Sequence, residues 1–131
     1  MATPYDRVPV MERYSRHVLV CTGGFCSPSR QGRSLYAMLA SLLQREGLLF
    51  GPTRVKRSEA PCLGVCAGGP IVAVYPEAVW YHNVSPALLE RIVLEHLKEG
   101  RIVEEAVFFA MREDEKTGGR EDASGERGAN P

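Results

Sequence analysis

Four cysteines are the residues of this chain whose type and spacing point most directly to chemistry. They form two pairs, Cys21-x4-Cys26 and Cys62-x3-Cys66, separated by 35 residues. Four thiolates gathered at one place bind an iron–sulfur cluster or a tetrahedral zinc ion, and paired thiols also carry out thiol–disulfide exchange. Which of these three chemistries applies depends on the residues around each pair.

Glycines accompany both pairs and favour an iron–sulfur cluster. They stand within the first pair, within the second pair and just after it: Gly23, Gly24, Gly64, Gly68 and Gly69. Because glycine has no side chain, the backbone approaches closely and turns its N–H groups toward the sulfurs, which such a cluster needs. We expect these glycines to shape the pocket. Cys26 also precedes a predicted helix, where the helix dipole favours a thiolate.

Zinc binding and thiol–disulfide chemistry stay open as alternatives. Zinc sites commonly use C-x2-C knuckles and thioredoxin-type active sites use C-x-x-C, and neither spacing occurs here. Structural disulfides are typical of exported proteins, whereas residues 1–16 carry prolines and charges with no apolar stretch that would make a secretion signal. Spacing and context thus favour the cluster over a zinc-binding or metal-free interaction module.

The elements that must position the cysteines follow the order β-α-β-β-β-α. Short apolar or β-rich runs predict strands at His17–Cys21, Thr53–Ser58, Ile71–Tyr75 and Val79–Tyr81. Leucines at helical spacing predict a helix from about Arg33 to Gly47, and Ser85, followed by proline, begins a second helix that ends near Gly100. This order predicts an α/β fold with two main helices on a mixed sheet of about four strands.

The chain divides into three parts. Residues 1–16 are an N-terminal lead-in, residues 17–111 form one domain, and residues 112–131 form a polar tail. The tail has no aromatic, valine, isoleucine or leucine residue, so it cannot bury enough apolar surface to order itself and is predicted to be disordered. Residues 101–111 contain a last apolar stretch, which predicts a short strand or edge segment.

Charge and hydropathy exclude several classes of function. Sixteen basic residues balance sixteen acidic ones, which predicts no general electrostatic binding of nucleic acid. The longest strictly apolar run, residues 106–111, is far shorter than the roughly 20 residues that a membrane helix needs, so no membrane insertion is expected. No catalytic triad, pair of catalytic carboxylates or phosphate-binding loop stands out. We expect a cytoplasmic protein that is not an enzyme.

Aromatic, histidine and basic residues add three further expectations. Trp80 and Tyr81 are expected either to form an exposed aromatic surface that binds a partner or to be packed in the core. His17, His82 and His96 are assigned no redox role, and His96, on an apolar helical face, is expected to be buried. Five bases either surround the cysteine loops, where they would favour a reduced cluster or steer an acidic partner, or form solvated surface: Arg30, Arg33, Arg54, Lys56 and Arg57.

The stretch CLGVCAGGPIVAVYPEAVWYHNV, residues 62–84, resembles the thioredoxin-like [2Fe–2S] ferredoxin family. In that family a C-x3-C pair is followed by Gly-Pro, an apolar strand ending in Tyr-Pro, and a Trp-Tyr turn. The wider resemblance runs from about His17 through Phe109. Stand-alone members often have a longer, more basic insert in the first pair. The spacing found here is instead similar to that of the ferredoxin-like subunit of NADH:quinone oxidoreductase, which binds the same type of cluster.

The resemblance implies a thioredoxin-like fold and one [2Fe–2S] cluster per chain. It implies that the ligands are the four cysteine thiolates, Cys21, Cys26, Cys62 and Cys66. The implied function is that of a one-electron carrier between redox partner proteins, frequently a homodimer, with Trp80 and Tyr81 at an interface.

Overall fold

A computed structural model of the protein describes residues 7–23, 31–65 and 67–111. Several predictions fall outside these residues, namely those for Gly24, Cys26, Arg30, Cys66 and the tail 112–131. Within the described part, every helix is too short or too polar to cross a membrane.

One five-stranded mixed sheet forms the centre of the domain. Its strands are β1 (Arg16–Cys21), β2 (Val55–Ala60), β3 (Val72–Tyr75), β4 (Val79–Tyr81) and β5 (Val107–Ala110). They lie in the order β2-β1-β3-β4-β5, with β1 and β2 parallel and the other neighbours antiparallel. The predicted mixed sheet is confirmed, and it has five strands because the last apolar stretch pairs with β4.

The parallel pair β1–β2 determines where the cysteine loops lie. Arg16 stands opposite Val55 at one end, and Cys21 stands opposite Ala60 at the other. Because parallel strands end on the same side, the chain leaves both strands at one edge of the sheet. We call this edge, formed by the C-terminal ends of β1 and β2, the cysteine edge. Cys62 follows two residues after Ala60.

Two helices and one face of the sheet enclose the main core. The helices are α1 (Gln31–Arg45) and α2 (Pro86–Arg91), and α2 continues as a π-helix over Ile92–Leu97. Ser85 caps α2 as predicted, since its Oγ accepts the Leu88 N–H at 3.1 Å. The apolar side chains of α1, α2 and the π-helix meet alternate residues of the strands in a single buried cluster.

A second, smaller apolar cluster lies on the other face of the sheet, at the cysteine edge. Its buried members are Cys21 and Ile71. Leu63, Val65 and Trp80 pack against them and are partly buried. The loop that carries Cys62 therefore folds over the face of the sheet that is turned away from the main core.

Tyr81 belongs to the main core, so the expectation of an exposed aromatic surface is wrong for this residue. It is fully buried because β4 alternates, and Val79 and Tyr81 share the face that the helices cover. Its hydroxyl hydrogen-bonds His96 Nδ1 at 2.8 Å and accepts the Val103 N–H at 3.1 Å. His96 is fully buried, as expected.

Candidate metal centre

Cys21 ends β1, as predicted, and its side chain is buried against Ile71. Its backbone N–H donates to the Ile71 carbonyl at 3.1 Å. The next residue, Thr22, donates its N–H to the Ala60 carbonyl at 2.8 Å, which extends the contact between the two chain segments beyond the strands. The first cysteine is thus held on both sides, by the segment before β3 and by the segment that leads to Cys62.

Gly23 brings the first cysteine loop against the second. A Cβ atom placed on Gly23 would lie 1.8 Å from the carbonyl oxygen of Pro61, the residue before Cys62. That distance is far inside van der Waals contact, so any side chain would force the loops apart. The predicted close approach of the backbone is confirmed at this glycine.

Gly32 makes a second such contact, which the sequence analysis missed. A Cβ atom at this position, in the first turn of α1, would lie 2.0 Å from the Cys21 carbonyl oxygen. The helix was predicted only from about Arg33 because glycine disfavours helix interiors. The structure extends α1 to Gln31, since only glycine lets the helix start lie on the end of β1. The available signal was a glycine beside the predicted helix start.

Cys62 is exposed, and the backbone of its own loop points a donor at it. The Gly64 N–H donates to Cys62 Sγ, with the nitrogen and sulfur 3.3 Å apart. Gly64 adopts a φ of 84°, a left-handed conformation that favours glycine and turns the loop. An N–H group directed at a cysteine sulfur stabilises a thiolate ligand. The predicted role of Gly64 in turning an N–H toward a sulfur is confirmed.

The segment after the second pair is tied to the connection between β4 and α2. Gly68, with a φ of 75°, accepts the Asn83 N–H on its carbonyl at 2.7 Å. Pro70 accepts the Val84 N–H at 3.1 Å. The segment that follows the C-x3-C pair is therefore held by two backbone hydrogen bonds.

Trp80 borders the second apolar cluster and has a buried polar atom. Its ring lies edge-to-face against Phe108, with the ring centroids 6.4 Å apart, and Phe108 also contacts His82. The Trp80 Nε1 atom is buried and finds no hydrogen-bond partner among the described residues. A buried donor without a partner costs about 1–3 kcal/mol.

The predicted group of bases around the cysteine loops is wrong for Arg54 and Lys56. Both lie at the start of β2, whereas Cys62 follows its end. Each is partly buried and contacts the N-terminal segment that precedes β1 rather than a cysteine loop. Arg57 lies over an aromatic ring of α1 on the helix-covered side. Arg33 is exposed in the first turn of α1. It directly follows Gly32, the residue whose backbone lies against Cys21.

Two of the four predicted ligands, Cys21 and Cys62, thus lie in segments that meet at the cysteine edge. Cys26 and Cys66 are outside the described residues. Within the described ranges, which hold half of the cysteines, no three His, Cys, Asp or Glu side chains are grouped to hold a metal ion.

Proteins with sequences similar to this chain include two 2Fe-2S ferredoxins. The chain is 34% identical over 95 residues to the 2Fe-2S ferredoxin of Clostridium pasteurianum, a match that covers 66% of this chain and 89% of that protein. It is also 34% identical over 101 residues to the 2Fe-2S ferredoxin of Aquifex aeolicus, covering 71% and 88% respectively. No family model matches the chain.

Solved structures agree with the sequence comparison. The fold superimposes on the thioredoxin-like [2Fe–2S] ferredoxin from Aquifex aeolicus with a TM-score of 0.61 and 30% identity, covering 76% of this chain and 94% of that chain. The chain belongs to the thioredoxin-like [2Fe–2S] ferredoxin family. The predicted family and the predicted thioredoxin-like α/β fold are therefore confirmed.

Membership of this ferredoxin family makes the protein an iron–sulfur electron carrier rather than an enzyme, and it implies one [2Fe–2S] cluster per chain. The described residues fit such a group. The Gly64 N–H already points at the Cys62 sulfur, and Gly23 lets the two cysteine loops touch. Cysteine thiolates are also the donor set that iron–sulfur clusters use.

Proposed function

We propose that this ferredoxin passes single electrons between redox partner proteins by means of one [2Fe–2S] cluster. Its ligands are the four cysteines, Cys21, Cys26, Cys62 and Cys66. The observation that carries this proposal is the backbone contact between Gly23 and Pro61, because it joins the two cysteine loops in a member of this family.

Chain geometry supports the inclusion of the two cysteines that lie outside the described residues. Cys26 follows Cys21 by five residues, and Cys66 follows Cys62 by four. An extended chain spans at most about 3.6 Å per residue, so each second cysteine stays within reach of the edge where the first one lies. The anchored segments on both sides of Cys66 restrict that reach further.

The side chains around the cysteines suit electron transfer by burying one side of the site and exposing the other. Cys21 lies among Ile71, Leu63 and Val65, which exclude water from that side. Cys62 is exposed. The cluster supplies a centre that accepts and releases one electron. The exposed side near Cys62 gives a docked partner the shortest path to that centre.

The homodimer and the cytoplasmic location stay predictions. The outermost strand β5 supports an interface between two copies, because Phe108 and Phe109 are 43% and 51% exposed there. A dimer in sedimentation equilibrium at micromolar concentration, converted to a monomer by Phe109→Glu, would support this surface. A monomeric wild-type protein would contradict the homodimer.

Absorption spectroscopy of protein purified without oxygen tests the proposed function. We expect a brown protein with two irons per chain, whose visible bands bleach with dithionite. Each of the four Cys→Ala variants should lose the native spectrum, and the chain has no fifth cysteine to substitute. A native spectrum in all four variants would contradict the ligand assignment. A colourless wild-type protein, with zinc or with no metal, would instead indicate the interaction module.

A further inference from the structure

The indole N–H of Trp80 is a buried donor without a partner among the described residues. Three other buried polar atoms there also lack a hydrogen bond: Arg54 Nε, Glu77 Oε1 and His96 Nε2. Arg54 and Glu77 form ion pairs through other atoms, and His96 Nε2 lies 3.4 Å from a carboxylate oxygen of Glu77. The Trp80 indole, in contrast, carries no charge, and of these four side chains it is the one that packs against the second apolar cluster.

The position of Trp80 places its ring among the side chains that surround the sulfurs. It packs on the cluster of Cys21 and Ile71 together with Leu63 and Val65. Those last two residues flank Gly64, whose N–H points at Cys62 Sγ. Trp80 therefore borders both cysteine loops from the side opposite the main core.

The chemistry of the indole limits what the buried N–H can bind. Indole nitrogen is a donor and never an acceptor, so its partner must be an acceptor. The β3 residue opposite Trp80 is Ala73, and the backbones of β3 and β4 pair with each other in the sheet. Thiolate and sulfide sulfur atoms are the acceptors that a bound [2Fe–2S] group would add to this side of the site.

We propose that the Trp80 indole N–H donates a hydrogen bond to a sulfur atom of the [2Fe–2S] cluster and thereby raises its reduction potential. This inference rests on the proposed function. Reduction adds one electron to the cluster, and hence one negative charge, without requiring a proton from Trp80. A donor directed at sulfur stabilises that charge, and burial of the N–H strengthens the effect.

The Trp80→Phe holoprotein separates this role from simple packing. Phenylalanine keeps an aromatic ring beside Phe108 but removes the N–H. We expect the variant to bind two irons per chain and to have a lower reduction potential than the wild type in an EPR-monitored titration. Phe108→Leu is the matched control, because it removes the neighbouring ring and leaves the indole N–H in place. Its potential should stay close to that of the wild type.

Isotope labelling provides a readout that packing alone would not change. Trp80 is the only tryptophan of the chain, so ¹⁵N-indole labelling marks a single nitrogen. Pulsed EPR of the reduced wild-type protein should detect a hyperfine coupling to this nitrogen. Absence of the coupling together with an unchanged potential in Trp80→Phe would overturn the inference.

The outcomes also distinguish this inference from the proposed function. If the wild-type protein binds no cluster, the proposed function itself fails. If Trp80→Phe binds the cluster with the wild-type potential, the function stands and the hydrogen bond is disproved. If Trp80→Phe does not load, the ¹⁵N coupling in the wild type decides, since its presence supports the bond and its absence disproves it.

Discussion

The Gly23 backbone lies so close to the Pro61 carbonyl that a Cβ atom would come within 1.8 Å of the oxygen. Gly23→Ala should therefore separate the cysteine loops, reduce the iron bound per chain to less than about half, and destabilise the fold by about 1–3 kcal/mol, as overpacking does. Iron analysis and urea unfolding measure the two effects.

Gly47→Ala is the matched control for that variant. Gly47 also lies in a turn, with a φ of 72°, but a Cβ atom there meets nothing within 4 Å. The control should lose about 1 kcal/mol through backbone strain alone and keep its full iron content. Equal iron in the two variants would show that the contact with Pro61 does not position the site.

Gly32→Ala tests the contact between α1 and the end of β1 by the sign of its effect. Helix propensity alone predicts that alanine stabilises the helix by about 1 kcal/mol. The Cys21 carbonyl oxygen, 2.0 Å from the added Cβ, predicts a loss of stability instead. The urea midpoint of the Gly32→Ala apoprotein should therefore be lower than that of the wild type. A higher midpoint would contradict the close contact between the helix start and the Cys21 carbonyl.

The two described cysteines should differ in reactivity in the apoprotein. Cys62 is exposed, whereas Cys21 is 2% exposed. Alkylation by iodoacetamide, followed by peptide mass spectrometry, should modify Cys62 at least about tenfold faster, because thiol reactivity requires access. In urea the two rates should become similar. Equal rates in the folded apoprotein would contradict the burial of Cys21.

Stability should fall as the pH drops below about 6.5. Burial lowers the pKa of His96, an effect that the nearby Glu77 opposes and Arg16 reinforces. The unfolded chain then binds a proton that the folded chain resists, so the contribution of His96 is present above the unfolded pKa of about 6.5 and is lost as the pH falls toward the lower folded value. The slope for one proton is at most about 1.4 kcal/mol per pH unit.

His17 adds to the same slope, because burial and the neighbouring Lys56 lower its pKa as well. Urea unfolding from pH 7.5 to 5 should therefore compare the wild type with His96→Gln and with His17→Gln. Each variant should flatten the pH dependence in part. An unchanged slope in His96→Gln would contradict the pKa assigned to the buried ring.

Local signals in the sequence predicted those parts of the fold that depend on neighbouring residues. Ser85 and Pro86 specify the start of α2 because capping involves only the first helical turn. β2 was predicted two residues too early, at Thr53–Ser58 instead of Val55–Ala60, because its position depends on pairing with the distant β1. That pairing also places Arg54 and Lys56 at the end of β2 away from the cysteines.

In the candidate site, too, features set by neighbouring residues were predicted, and features set by distant contacts were not. The spacing of the cysteines and the glycine two residues after Cys62 are local, and they predicted the loop in which Gly64 donates to the sulfur. The contact of Gly32 with Cys21 joins a helix to a strand, and the glycine beside the predicted helix start gave a signal for a close approach without showing which strand it meets. The burial of Tyr81 could have been predicted, because the two-residue period of β4 places it on the same face as Val79.

The two apolar clusters on opposite faces of the sheet bear on the order of events when this protein is made. Of the two cysteines in the part of the chain that the structure describes, neither belongs to the large cluster, and Cys21 belongs to the small one. Most of the buried apolar surface is thus available to the chain before any iron arrives. We therefore expect iron and sulfide to enter a scaffold that is already folded, unlike the zinc fingers that stay unfolded until metal binds.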